Sequence, residues 1–229
     1  MLNYRVPPAV LTPFVPAGTE IDLFDGAAYV SVVGFLFAHT RVLGVAIPLH
    51  VNFEEVNLRF YVRRVAAGEV RRGVTFIREL VPRRAIAWTA SALYNEPYRA
   101  LPMRHQIFRT NDSLSGVEYA WKTGDSWSTL RAMVAGESRE LTAGSEEEFI
   151  TQHYWGYTRQ RDGGTVEYRV EHPSWRVWRA TSAALEGNIA SVYGDAFADL
   201  LGGPPHSAFV ADGSAVTVYS PSRIGRALT

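Results

Sequence analysis

In the run Phe53-Glu54-Glu55-Val56-Asn57-Leu58-Arg59-Phe60-Tyr61-Val62-Arg63, polar and apolar residues alternate, and this constrains the chain more than any other stretch. Successive residues of a β-strand project to opposite faces. Val56, Leu58, Phe60 and Val62 therefore share one side, and Glu55, Asn57, Arg59 and Tyr61 share the other. A carboxylate, an amide, a guanidinium and a phenol in register form either a solvated sheet face or the lining of a pocket. We expect the row to point inward together, with the apolar set packed beneath a helix or a second sheet layer. A register slip of one residue would exchange the two sets.

The rest of the chain reads as more strands. Ala28–Phe37 is rich in Val and Phe. Val70–Leu80 follows a turn over Ala66–Glu69, and Val74–Ile77 is apolar on both faces, as in a central strand. Pro82 suits the first turn of a helix running to about Tyr94, which Asn95-Glu96-Pro97 stops. Strands are expected over Arg104–Arg109, Val117–Lys122 and Trp127–Val134. Ser145-Glu146-Glu147-Glu148 is a capping-box start. A hairpin over Tyr154–Val170 turns at Asp162-Gly163-Gly164. One helix is expected from about Asn188 to Leu201, and a last hairpin turns at Asp212-Gly213. With no linker and no repeat, residues 1–229 read as a single domain. Its N-terminal arm (1–20) looks irregular because of Pro7, Pro8, Pro13, Pro16 and Gly18, and 221–229 form a C-terminal tail. The class is α+β, mostly β: a large antiparallel sheet or barrel with two or three flanking helices.

Composition removes several functions. The formal net charge is zero, which leaves no global field to draw in nucleic acid or an anionic membrane. Trp175-Arg176-Val177-Trp178-Arg179 alternates aromatic and basic residues as single-strand binders do, but it stands alone and reads as a strand. There is no cysteine. The six histidines form no HExxH or close ligand cluster, so no metal is expected. GxSxG, GxGxxG and P-loop motifs are lacking, and no cofactor is expected. The first residues lack a signal-peptide layout, and the apolar run Tyr29–Ala38 is too short to span a bilayer. The expectation is a cytoplasmic protein with a small-molecule partner and no nucleic-acid or membrane partner; a homo-oligomer stays open.

The stretch from Asn52 to Val62 resembles the signature of the YqjF-like family of uncharacterised bacterial proteins. Gly73-Val74-Thr75-Phe76 and Tyr94-Asn95-Glu96-Pro97-Tyr98-Arg99-Ala100-Leu101-Pro102-Met103 support the likeness, which runs over roughly Tyr4–Tyr219. That family is similar in fold to acetoacetate decarboxylase. The resemblance implies a mostly β, cone-like antiparallel barrel with a central cavity and flanking helices. The decarboxylase itself uses a lysine nucleophile whose pKa a second lysine depresses. The lysine pair lies in a stretch that looks equivalent to Leu101-Pro102-Met103-Arg104, where this chain has none. Of 23 basic residues only Lys122 is lysine, and it stands beside a hairpin turn. Arginine stays protonated in proteins and forms no imine under ordinary conditions.

Glu55 is the candidate acid–base group: burial raises a carboxylate pKa, and pairing with Arg59 would lower it again. The same two residues would otherwise make a static ion pair. Arg59 and Arg104 are candidates to hold a ligand carboxylate in the guanidinium fork. Asn57, Tyr61, Tyr94, Tyr98 and Met103 complete the candidate ligand-binding set. His105, like His50, flanks the family-like motifs, and histidine as a residue type can shuttle protons near neutral pH. The reading is a pocket for a carbonyl or carboxylate compound with proton-transfer chemistry. The alternative is a non-catalytic ligand-binding or oligomeric scaffold whose polar row is an internal network.

Overall fold

The computed structural model describes residues 1–38, 41–42, 45–46, 52–83 and 95–224. His50, Tyr94 and nearly all of the helix expected over 82–94 lie outside the described residues.

The alternating run folds as one long strand, and the remaining strands build outward from it. In chain order they are β1 (Leu2–Val6), β2 (Glu20–Ile21), β3 (Ala28–Phe37), β4 (Arg41–Val42), β5 (Val45–Ala46), β6 (Phe53–Ala66), β7 (Glu69–Val81), β8 (Tyr98–Ala100) and β9 (Met103–Thr110). They continue as β10 (Ser113–Thr123), β11 (Ser126–Val134), β12 (Trp155–Arg159), β13 (Thr165–Glu171), β14 (Val177–Glu186), β15 (Ser207–Ala211), β16 (Thr217–Val218) and β17 (Ser222–Ile224). The helices described are α1 (Pro8–Leu11), α2 (Glu146–Thr151), α3 (Ala190–Tyr193) and α4 (Asp195–Leu201). Fifteen strands join one sheet in the order β16-β13-β12-β7-β6-β3-β1-β15-β14-β11-β10-β9, with β17 on β13, β2 on β6 and β8 on β7. The sheet is mixed, since β7 pairs in parallel with both β12 and β8. All its other pairings are antiparallel, as expected.

β6 is central. Its apolar face, Val56, Leu58, Phe60 and Val62, is fully buried in the main core. That core also takes in Trp121 and Leu130 from β10 and β11, and Tyr193, Phe197 and Leu201 from α3 and α4. Each such side chain removed from water contributes roughly 1.5–3 kcal/mol. The other face packs under α2, whose Phe149 and Ile150 join Tyr29, Tyr61 and Val74 in a second cluster. The capping box starts α2 as expected: Ser145 Oγ accepts the Glu148 N–H at 3.2 Å.

Three local expectations are corrected. Residues 2–6 are not an irregular arm: Leu2, Tyr4 and Val6 are buried, and β1 lies between β3 and β15 inside the sheet. The 188–201 helix is two short ones, because Gly194 takes φ +82° between them, a conformation that ends a right-handed helix. The last strands do not pair as a hairpin: β15 joins β1 and β14, while β16 joins β13.

Candidate functional site

The site is built on the polar face of β6 by its two neighbours. β3 sets Phe35, Val33 and Ser31 opposite Glu55, Asn57 and Arg59. On the other side β7 sets Glu79 opposite Asn57 and Phe76 opposite Arg59, with a register shift between them that loops out Ile77. A bulge of this kind reverses the side-chain parity of the strand that carries it. Glu79 and Phe76, odd and even in number, consequently lie on the same face. The parallel pairing of Glu79 with Tyr98 on β8 brings the 96–98 segment to the same place.

Three glutamates meet here, all buried: Glu55, Glu79 and Glu96. Asn57 Nδ2 donates to Glu55 Oε1 at 3.0 Å, and Tyr98 OH donates to Glu55 Oε2 at 3.2 Å. Tyr168 OH donates to Glu96 Oε1 at 2.7 Å, with Thr158 Oγ1 at 3.5 Å from the same oxygen. Tyr168 reaches across β12 because its partner there is Gly156: a Cβ at that position would stand 2.1 Å from Tyr168 Cζ. Glu79 Oε2 has no hydrogen-bond partner among the described residues.

Burial disfavours the ionised form of each carboxyl, and neighbouring carboxylates add repulsion. Burial pushes Glu55 up to about 7 against the pull of the Asn57 hydrogen bond, with Glu96 raising it further and Tyr98 and Arg59 lowering it. Glu96 also rises to about 7, through burial offset by Tyr168 and Thr158. Glu79 is pushed well above the carboxylate range, by burial and then by Glu96 and Glu55. Tyr98 and Tyr168 are held protonated, chiefly by burial and then by the facing carboxylates. Burial and mutual repulsion therefore favour the protonated form of all three carboxyls, beside two phenols that stay as donors. Among the described residues no group of His, Cys, Asp and Glu has the arrangement to hold a metal ion.

Of the residues singled out from sequence, Glu55, Asn57 and Tyr98 are brought together. Arg59 and Tyr61 continue the same face. Glu55 and Arg59 form no ion pair within 4.0 Å; Arg59 Nη2 donates instead to Ile150 O at 3.2 Å, near the carboxyl end of α2. The Tyr61 hydroxyl lies 2.6 Å from Ser31 Oγ. Met103, Arg104 and His105 are elsewhere. Met103 packs against the main apolar core. The exposed Arg104 guanidinium stacks on Trp127 at 4.3 Å. His105 Nδ1 is 2.7 Å from Glu54 Oε1, and Glu54 projects from the face of β6 opposite to Glu55. Lys122 Nζ lies 3.7 Å from Asp125 at its hairpin turn. Glu79, Glu96, Thr158 and Tyr168 were missed. The signal for Glu79 was a lone carboxylate among Ile77, Leu80 and Val81; Glu96 lay within the quoted 94–103 motif.

Known proteins resemble this arrangement at the level of fold. YqjF of Bacillus subtilis (strain 168) is 23% identical over 195 residues, covering 84% of this chain and 77% of that protein. Acetoacetate decarboxylase from Legionella pneumophila superposes with a TM-score of 0.63 at 11% identity, covering 100% of this chain and 84% of its own. The enduracididine biosynthesis enzyme MppR complexed with pyruvate gives 0.61 at 14%, covering 97% and 83%. An acetoacetate decarboxylase-like enzyme from Sphingomonas wittichii RW1 gives 0.60 at 16%, covering 98% and 89%. These likenesses establish an acetoacetate-decarboxylase-like fold. Residues 1–215 match DUF2071, and the chain belongs to this family of uncharacterized conserved proteins.

Proposed function

We propose that the chain binds a small carbonyl or carboxylate compound against the Glu55 face and catalyses proton transfer on it, without a lysine imine. One observation carries the reading: a buried carboxyl, Glu55, that accepts from Asn57 and Tyr98 and faces other carboxyls, with burial pushing it up to about 7. A general base works best when its pKa lies near the operating pH. MppR, a fold relative, is described in complex with pyruvate and with the condensation product of pyruvate and imidazole 4-carboxaldehyde. That chemistry favours a 2-oxo acid as the ligand class. In the proposed step ionised Glu55 takes a proton from the carbon beside the carbonyl. The C–H electron pair moves into a new C–C double bond, and the carbonyl oxygen takes up the charge. Return of a solvent proton completes exchange.

The test is the pyruvate methyl signal followed by proton NMR in D2O with the full chain. Wild type should exchange the methyl protons above the buffer rate, and Glu55→Gln should slow this roughly a hundredfold to ten-thousandfold. Exchange equal to buffer alone, or undiminished in Glu55→Gln, would overturn the assignment. The former result favours the scaffold reading, in which the hydrogen bonds from Asn57, Tyr98 and Tyr168 serve only packing. The proposal includes a cytoplasmic bacterial setting and a single domain, with homo-oligomerisation read by sedimentation. No helix among the described residues is long and apolar enough to cross a membrane.

A further inference from the structure

Beyond the glutamates, a second pair of polar groups is set around the Tyr61 ring: Arg59 on the same face of β6, and His153 just after α2. The Arg59 guanidinium carbon is 5.8 Å from the Tyr61 ring centroid, and the His153 ring centroid lies 4.7 Å away at 35°. Arg59 remains partly exposed in this inward row, so solvent reaches it. Its contact with Ile150 O leaves Nε buried with no acceptor, and no carboxylate lies within 4.0 Å among the described residues. His153 is the complement. It is 7% exposed, and neither ring nitrogen has a hydrogen-bond partner among the described residues. Asp22 Oδ2 lies 3.8 Å from Nε2 and accepts from Arg72 Nε at 2.7 Å. Burial, Arg59 and Arg72 keep the imidazole neutral against the pull of Asp22. The nearby carboxylate favours the proton on Nε2 and leaves a lone pair on Nδ1.

Buried polar atoms without partners are rare in folded proteins and call for an explanation. Here a cation without a counter-ion and an acceptor without a donor flank one aromatic ring. We propose that Arg59 and His153 form a ligand subsite for a small hydroxy acid, Arg59 taking the carboxylate in its fork and His153 Nδ1 accepting from the hydroxyl. The subsite rests on reading this face as a ligand site, and it is independent of the chemistry assigned to Glu55. Asp22 acts as a positioning residue through His153.

Lactate, propionate and lactamide separate the two roles, since propionate lacks the hydroxyl and lactamide the charge. Their affinities for the full chain are read at neutral pH by NMR titration. Lactate should bind roughly threefold to tenfold more tightly than propionate, as one hydroxyl hydrogen bond provides, and lactamide should bind weakest. Arg59→Lys should weaken both acids roughly tenfold to hundredfold, because an ammonium cannot reproduce the bidentate fork. His153→Phe, which keeps a ring on Tyr61, should reduce lactate to the affinity of propionate and leave propionate unchanged. In wild type the His153 Nδ1 resonance should move with lactate and not with propionate, a readout that needs no variant. The subsite is overturned by no saturable lactate binding, by full lactate affinity in Arg59→Lys, by equal loss of both acids in His153→Phe, or by an unmoved Nδ1 resonance. Intact lactate binding without pyruvate exchange would defeat the proton-transfer reading and leave the subsite standing.

Discussion

Glu167 and Glu55 are both buried carboxylates on this sheet, and their surroundings are opposite. Glu167 receives Arg64 Nη1 at 2.9 Å and Arg71 Nη1 at 2.8 Å, and Arg71 also stacks on Trp155 at 4.3 Å. Glu55 and Glu79 have no cation within 4.0 Å among the described residues, and Glu55 is hydrogen-bonded by an amide and a phenol. A carboxylate clamped by two guanidiniums ties β6, β7 and β13 together. A carboxyl among other carboxyls and phenols stays free to gain and lose a proton. The difference separates an acid tied to two cations from the acids proposed above for proton transfer.

The sharpest test of that contrast is the pH dependence of stability. Glu55 has its ordinary pKa near 4.5 when unfolded and about 7 when folded, so the native state binds more protons in between. Its contribution is present below about 4.5 and is lost as pH rises through about 7. His153, depressed to about 4, works in the other direction over an overlapping range, so the comparison must be between wild type and variant. Glu55→Gln should match wild type near pH 4 and exceed it near pH 8 by on the order of 3 kcal/mol in urea unfolding. A constant difference across pH would remove the contrast.

A smaller effect is expected at the clamp. Glu167→Gln leaves two partly buried guanidiniums without their anion and should cost about 1–3 kcal/mol at neutral pH, the exposure of both arginines reducing the full buried-pair penalty. Unchanged denaturation midpoints would place Glu167 among surface pairs. Tyr98→Phe should move the midpoint of Glu55 titration, read by carboxyl carbon NMR, upward by under about one unit. It removes a single hydrogen bond to the charged form, a net loss of about 1 kcal/mol. Lys122→Ala should do least: stability within about 0.5 kcal/mol and pyruvate exchange unchanged. A borohydride-trapped adduct of a β-keto acid on Lys122 would reverse that expectation.

What was legible in the sequence was local. The two faces of β6 follow from a period of two, and the start of α2 follows from Ser145 three residues before Glu148. Trouble began where a local pattern carried two meanings. The prolines after Val6 made 1–20 look irregular, although Leu2, Tyr4 and Val6 alternate as a buried strand does. The apolar periodicity over 188–201 ran through Gly194 and hid the break between α3 and α4.

The sequence by itself determined that Glu55, Asn57, Arg59 and Tyr61 share one side of a strand, because pleating is a property of the backbone alone. It also left the chain without a lysine near Met103, which is a matter of composition. Only the tertiary structure decided that Glu79 and Glu96 join Glu55, that His153 reaches Tyr61, and that Arg104 and His105 stand apart. The bulge at Ile77 reverses the parity of β7, the parallel pairing of β8 delivers residues 96–98, and α2 carries His153 in from 92 residues beyond Tyr61. Such meetings arise from pairing between distant segments, where the free energy of burying a face selects the register, and no window of neighbouring residues contains that choice.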